Sequence, residues 1–316
     1  MTRAAAPTPA VRGLYVPLVT PFDERGRVDI AALEHLAATA LHDGSAGVVA
    51  LGTTAEASSL SASERSEVVA ACSRVCADLG AELVVGTGTN DTRTTIERHE
   101  RLHEMPAVTA SLAVVPYYVR PTQAGVVAHF RAVAARSPVP LIVYNVPYRT
   151  ARGLDSEALL ELAGTDNIAG VKQAVDGIDV DTLALLSGST PWDPATRQGF
   201  SVLAGDDPFI FPSITMGATG AIAASSGIDT AAFVAMVQHG LHHHLEQGRK
   251  YAEELLPLTR ALFAEPNPVV LKALLCADGR IATADVRGPL LRCSPEAARL
   301  ARRARTGRMV PKPARR

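Results

Sequence analysis

Lysine is scarce in this chain: Lys172, Lys250, Lys272 and Lys312 stand against 27 arginines. Arginine carries nearly all of the positive charge, so a lysine inside an apolar run needs its own explanation. An excess of one charge sign is also missing. With a net charge of −1 the chain lacks the basic field that nucleic-acid binding requires, and no nucleic-acid partner is expected. Cysteines are few. Cys72 and Cys76 lie one helical turn apart, without the C-x-x-C spacing of redox and zinc sites, and Cys276 and Cys293 are distant in sequence. Reduced, buried thiols are expected, with no metal and no cofactor. The opening MTRAAAPTPA holds no apolar run of signal-peptide length, and no stretch approaches the ~18 apolar residues of a membrane span. A cytoplasmic chain without membrane association is the expectation.

What is present is a repeating pattern. The 316 residues are 47% hydrophobic, enough for a sizeable core. Eight short apolar runs recur: GLYVPLVT, AGVVALGT, ELVVGTG, SLAVVPYY, PLIVYNVP, NIAGVKQA, SVLAGDD and ATGAIAAS. Their hydrophobicity is continuous rather than alternating, which indicates strands covered on both faces, as in a parallel sheet. Amphipathic stretches separate them. DIAALEHLAATALHDG has a cap at Asp29 and a stop at Gly44. SASERSEVVAACSRVCADLG opens on a Ser61–Glu64 capping box and closes on Gly80.

Eight strand-then-helix units within ~250 residues predict an α/β fold, the (β/α)8 TIM barrel, with a C-terminal helical extension. A doubly wound sheet is the alternative, but no Gly-rich phosphate loop follows Thr20. The barrel is placed at residues 11–247 and the helical addition at 248–305. Residues 1–10 and 306–316 read as disordered tails, the second in the basic end ARRARTGRMVPKPARR. The segment Ser187 to Gly199, with the single tryptophan Trp192, reads as a long loop before strand seven.

In such a barrel the chemistry lies at the C-terminal ends of the strands. There the sequence places Thr53, Thr54, Tyr118, Tyr144, Arg149 and, inside strand six, Lys172. To serve as an amine near neutral pH, a lysine must lose roughly 4 kcal/mol of proton affinity, which burial supplies. The neutral amine is a nucleophile toward ketones and forms a Schiff base, which arginine cannot do. The alternative is a lysine that snorkels to the rim and forms an ion pair. Tyr144 is either a proton shuttle or an ordinary barrel aromatic. Thr53 and Thr54 suit a small carboxylate, or are simple turn residues. Arg149 either grips a second carboxylate or is a surface charge. His239, His242, His243 and His244 read as one solvated helix face, and Asp206 and Asp207 as structural.

The motifs GLYVPLVTPF, GTTAE, VVPYYVRPTQAGVVAHF, YNVPYRT, GVKQA, LAGDD, GAIAASSG, EPNPVVLKALL and VRGPL follow one another from about Gly13 to Arg302. In this order they resemble the dihydrodipicolinate synthase / N-acetylneuraminate lyase family of class I aldolases. The resemblance implies that Lys172 forms the Schiff base with pyruvate, and that Tyr144 is general acid and base in a relay with Thr53 and Tyr118. It implies that Thr54 and Ile222 flank the pyruvate. The counterpart of Tyr118 reaches a neighbouring subunit, so a homo-oligomer is implied, a dimer or a dimer of dimers. Arg149 resembles the arginine that holds the carboxylate of aspartate semialdehyde. The substrates implied are pyruvate and that aldehyde, condensed at the start of lysine biosynthesis.

Some positions depart from the family pattern. Ala55 stands where glycine is usual and is strained if the turn needs φ > 0 there. Gln173 replaces an acidic residue, and Ala151 a glycine. Tyr148 is bulky beside Arg149, the loop near Trp192 is longer than usual, and Thr94 replaces an acidic residue of lysine-inhibited members. Two other functions are alternatives: a lyase or dehydratase acting on a 2-keto-3-deoxy sugar acid or other 2-oxo acid, and a non-catalytic keto-acid-binding paralogue.

Overall fold

A computed structural model describes residues 11–105, 107–189 and 199–306. Eight strands follow the eight apolar runs: β1 (Gly13–Pro17), β2 (Gly47–Ala50), β3 (Glu82–Gly86), β4 (Val108–Val114), β5 (Leu141–Asn145), β6 (Ile168–Gln173), β7 (Ser201–Ala204) and β8 (Gly220–Ile222). They pair in chain order into a closed barrel. Every residue of β1, β2, β5, β6, β7 and β8 is buried, which is why the runs show no polar alternation.

The helices alternate with the strands. They are α1 (Ile30–His42), α2 (Ala62–Leu79), α3 (Thr92–Glu100), α4 (Gln123–Ala134), α5 (Pro147–Thr150), α6 (Ser156–Ala163), α7 (Val180–Gly188), α8 (Ile210–Thr215) and α9 (Thr230–Leu241). The extension follows as α10 (Leu245–Leu262), α11 (Val269–Ala277) and α12 (Pro295–Thr306). The Asp29 carboxylate accepts from Ala32 N at 3.0 Å. Ser61 and Glu64 form the full capping box, and Gly80 ends α2 in the left-handed region.

The described residues of Met1–Arg12 and Gly86–Ala221 form one compact unit, and those of Gly13–Val85 and Ile222–Arg316 a second. In the first, Val126, Phe130 and Val133 of α4 and Leu159 and Leu162 of α6 pack with Leu141, Val143 and Val171 from the strands. Each such side chain contributes about 1.5–3 kcal/mol on burial. In the second, α1 packs on α2 and α9 on α10.

Several expectations are corrected. Residue 248 lies inside α10, so the expected boundary cuts a helix. Ser187 belongs to α7 rather than to a loop, while residues 190–198, with Trp192, lie outside the described residues. Thr306, expected to open the second tail, is the last residue of α12, and the rest of the expected tails, 1–10 and 307–316, lies outside the described residues. Cys72 and Cys76 are buried, but Cys276 and Cys293 are half-buried; all four are free. The four histidines do not share a helix. His239 is in α9, His242 caps it, and His243 turns the chain with φ of 59° ahead of α10. Among the described residues no helix is long and apolar enough to cross a membrane.

Candidate active site

Lys172 is the fifth residue of β6 and Tyr144 the fourth of β5, and the two are direct partners in the parallel register. Both are only 8% exposed. The Lys172 Nζ lies 4.4 Å from the centroid of the Tyr144 ring. Strand alternation decides which way the lysine points. Gln173, next in the strand, accepts from Asn145 Nδ2 at 3.0 Å and donates to the Thr182 hydroxyl of α7 at 3.0 Å, so it faces the helical layer. Lys172 faces the other way, with Tyr144. Gln173 thus completes a neutral hydrogen-bonded chain behind the site rather than lining it.

Burial is what lowers the affinity of Lys172 for its proton, bringing its pKa to about 8. The carboxylates of Asp207 and Asp206 oppose this, and the charge of Arg149 adds to it. Roughly one such amine in ten is neutral at pH 7, against about one in three thousand for an ordinary lysine. Lys172 is buried, which argues against the reading of a lysine that snorkels to the rim. Gly205 explains how the chain fits beside it. A Cβ at that position would lie 2.9 Å from Lys172 Cε and 2.9 Å from Gln173 O, so a side chain there displaces the lysine or the backbone.

Asp206 does have the structural role read from the sequence. Its Oδ2 accepts from Asp176 N at 2.7 Å and Gly177 N at 3.3 Å, holding the loop after β6. Its field, with that of Asp207, also reaches Lys172, which the sequence did not reveal. Burial raises the pKa of Asp206.

Arg149 sits on α5, a short helix that starts at Pro147 directly after β5. It is exposed, and its guanidinium lies 4.9 Å from the centroid of the Tyr148 ring. Tyr148 is 66% exposed and forms a platform under the arginine. Ala151 follows with φ of 54°, so the residue that replaces the usual glycine is held in the left-handed region. Tyr118, between β4 and α4, is 87% exposed with φ of 71°.

The second unit holds the other expected residues. Thr53 to Ala55 form a 3-10 turn just after β2, and Ile222 is the buried last residue of β8. Positive φ falls on Glu56, at 54°, and not on Ala55, so alanine is tolerated where glycine is usual. The Thr20 hydroxyl donates to Ala55 O at 2.7 Å. Thr54, buried, accepts from Asn267 Nδ2 at 2.9 Å. Glu56 is buried too, and its Oε1 lies 2.8 Å from the Nζ of Lys272, which is fully buried on α11. Lys272 Nζ also lies 4.0 Å from the centroid of the Phe22 ring. Sequence reasoning missed this pair, although a lysine inside the apolar run PVVLKALL carries the same signal as Lys172. Among the described residues no group of three or more His, Cys, Asp or Glu is placed to hold a metal ion.

Comparison with known proteins extends the geometry. The model of the dihydrodipicolinate synthetase family matches residues 10–304. A 4-hydroxy-tetrahydrodipicolinate synthase of Exiguobacterium sp. strain AT1b is 36% identical, over 84% of this chain and 88% of its own. The dihydrodipicolinate synthase of Acinetobacter baumannii, chloride-inhibited and in complex with pyruvate, superposes with a TM-score of 0.87 at 31% identity, covering 94% of this chain and 98% of that one. A monomeric variant of dihydrodipicolinate synthase superposes with a TM-score of 0.86 at 29% identity, covering 94% and 96%. By sequence, by barrel and by the lysine within it, this chain belongs to the dihydrodipicolinate synthetase family, a family of class I aldolase-type lyases.

Proposed function

We propose that the chain is a 4-hydroxy-tetrahydrodipicolinate synthase, which condenses pyruvate with aspartate semialdehyde. One observation carries the reading: a buried lysine with pKa near 8, stacked on the tyrosine ring of the adjacent strand.

The chemistry follows from those two groups. Neutral Lys172 Nζ attacks the keto carbon of pyruvate, and the resulting carbinolamine loses water to give an iminium. Its positive charge acidifies the pyruvate methyl group, which loses a proton to form an enamine. The enamine carbon attacks the aldehyde carbon, forming one carbon–carbon bond and leaving an alkoxide that takes a proton. The amine of the semialdehyde then displaces Lys172 Nζ from the imine carbon and closes the ring. One water is lost overall. Tyr144 moves the protons of these steps, with Thr53 and Tyr118 as its relay. Thr54 and Ile222 flank the pyruvate. Arg149, on the helix after β5, holds the carboxylate of the aldehyde as a bidentate partner.

Tyr118, exposed on left-handed backbone, is offered to a second copy of the chain. A dimer or a dimer of dimers (a homotetramer) completes the relay on this reading. The protein acts in the cytoplasm, at the start of lysine biosynthesis.

Steady-state turnover tests the reading. Product formation that requires both pyruvate and aspartate semialdehyde supports it. Cleavage or dehydration of a 2-keto-3-deoxy sugar acid, with no use of the semialdehyde, would assign the chain to the lyase branch instead.

A further inference from the structure

The C-terminal addition holds the turn that bears Thr54 through two of the turn's residues, Thr54 and Glu56. Asn267 Nδ2 donates to Thr54 Oγ1 at 2.9 Å. Five residues on, Lys272 Nζ donates to Glu56 Oε1 at 2.8 Å, two residues after Thr54. The second oxygen of Glu56 accepts from the backbone N of Arg287 at 2.7 Å. Thr54, Glu56 and Lys272 are all buried. The turn is therefore fixed by hydrogen bonds at Thr54 and Glu56 and by a fully buried ion pair.

The direction of the Asn267 bond has a chemical consequence. A threonine hydroxyl has one proton to give and two lone pairs. An amide N–H occupies one lone pair and cannot take the proton. The Thr54 O–H is left to donate to a different acceptor. We infer that Asn267 is a positioning residue, which sets Thr54 as a hydrogen-bond donor to the carboxylate of the bound 2-oxo acid. The inference rests on the proposed function, in which Thr54 flanks the bound pyruvate.

Asn267→Asp tests it with an isosteric change. A carboxylate at 267 has no N–H, accepts the Thr54 proton, and so turns the donor away from the substrate. The readout is the pyruvate concentration that gives half-maximal borohydride-trapped adduct on Lys172, with KM and kcat measured alongside. The expected result is a rise of about tenfold or more in half-saturation and in KM for pyruvate, with kcat within about threefold. Thr54→Val alone and Thr54→Val with Asn267→Asp should then give the same half-saturation, because Asn267 acts only through the threonine. Asn267→Ala removes the donor without adding charge. It gives a smaller rise in the same direction, and serves if the aspartate variant does not fold.

An unchanged half-saturation in both Asn267 variants overturns the inference while the function stands. Additive losses in the double variant do the same, since they mark a merely structural asparagine. No adduct in the unaltered protein overturns the function and the inference together.

Discussion

Gly205 stands so close to Lys172 that a Cβ on it would lie 2.9 Å from the lysine's Cε. Ala174 Cβ and Gln173 O lie equally near, so any side chain at this position must displace the lysine or the β6 backbone. Gly205→Ala is expected to lower turnover by about a hundredfold or more, through misplacement of the nucleophile, and to destabilise the fold by about 1–3 kcal/mol. Steady-state kinetics and denaturant unfolding check this. Full activity would show that the lysine tolerates a displaced stem.

Arg149 has two separable effects. As the partner of the aldehyde carboxylate it should matter directly for the semialdehyde, and for pyruvate capture only through the proton affinity of Lys172. Arg149→Ala is expected to reduce kcat/KM for the semialdehyde by about 10- to 100-fold while the pyruvate adduct still forms. Its charge also helps to hold the pKa of Lys172 down. Without it the lysine binds its proton more tightly, so the rising limb of the pH–rate profile moves to higher pH. Equal loss of both substrates, with no movement of that limb, would remove Arg149 from the assigned role.

Two buried histidines predict how stability depends on pH. His99 donates from Nδ1 to Thr95 O at 2.8 Å, so its Nε2 accepts from the Thr87 hydroxyl at 3.0 Å. His129 Nδ1 pairs with the Thr92 hydroxyl at 2.9 Å. Burial lowers the pKa of each to about 4. In the unfolded chain both take up protons below pH ~6.5, whereas the folded chain resists until about pH 4. Stability should be full above pH ~7 and fall between those values, by roughly 3 kcal/mol per histidine at the acid limit. Urea unfolding at pH 7 and pH 5 checks the sign. His99→Gln and His129→Gln should each flatten the slope; an unchanged slope would contradict the burial argument.

Ala151 is held at φ of 54°, which an L side chain disfavours. Ala151→Gly is expected to stabilise the protein by about 1 kcal/mol, the relief of left-handed strain less the added freedom of the unfolded chain. A lower melting temperature would contradict it. The same substitution at Ala55 should bring no such gain, because positive φ lies on Glu56.

The parts of this molecule that were legible in the sequence are those set by local chemistry. Strands buried on both faces leave continuous apolar runs, and the caps at Asp29 and Ser61 each act within one turn. Lys172 was legible because an isolated charge in such a run has few explanations. What escaped depends on distance along the chain. Glu56 and Lys272 are 216 residues apart, and nothing near either names the other. The influence of Asp206 and Asp207 on Lys172 needs the side-by-side placement of β6 and β7. The histidines failed as a helix face because the chain turns at His243, which no composition signal marks.

The central claim is that one buried, readily neutralised amine captures a 2-oxo acid. The direct measurement is to incubate the protein with pyruvate and borohydride and to locate the reduced adduct by peptide mass spectrometry. A single adduct on Lys172, with none on Lys250, Lys272 or Lys312, is the predicted result. No adduct, or one on another lysine, would contradict the account.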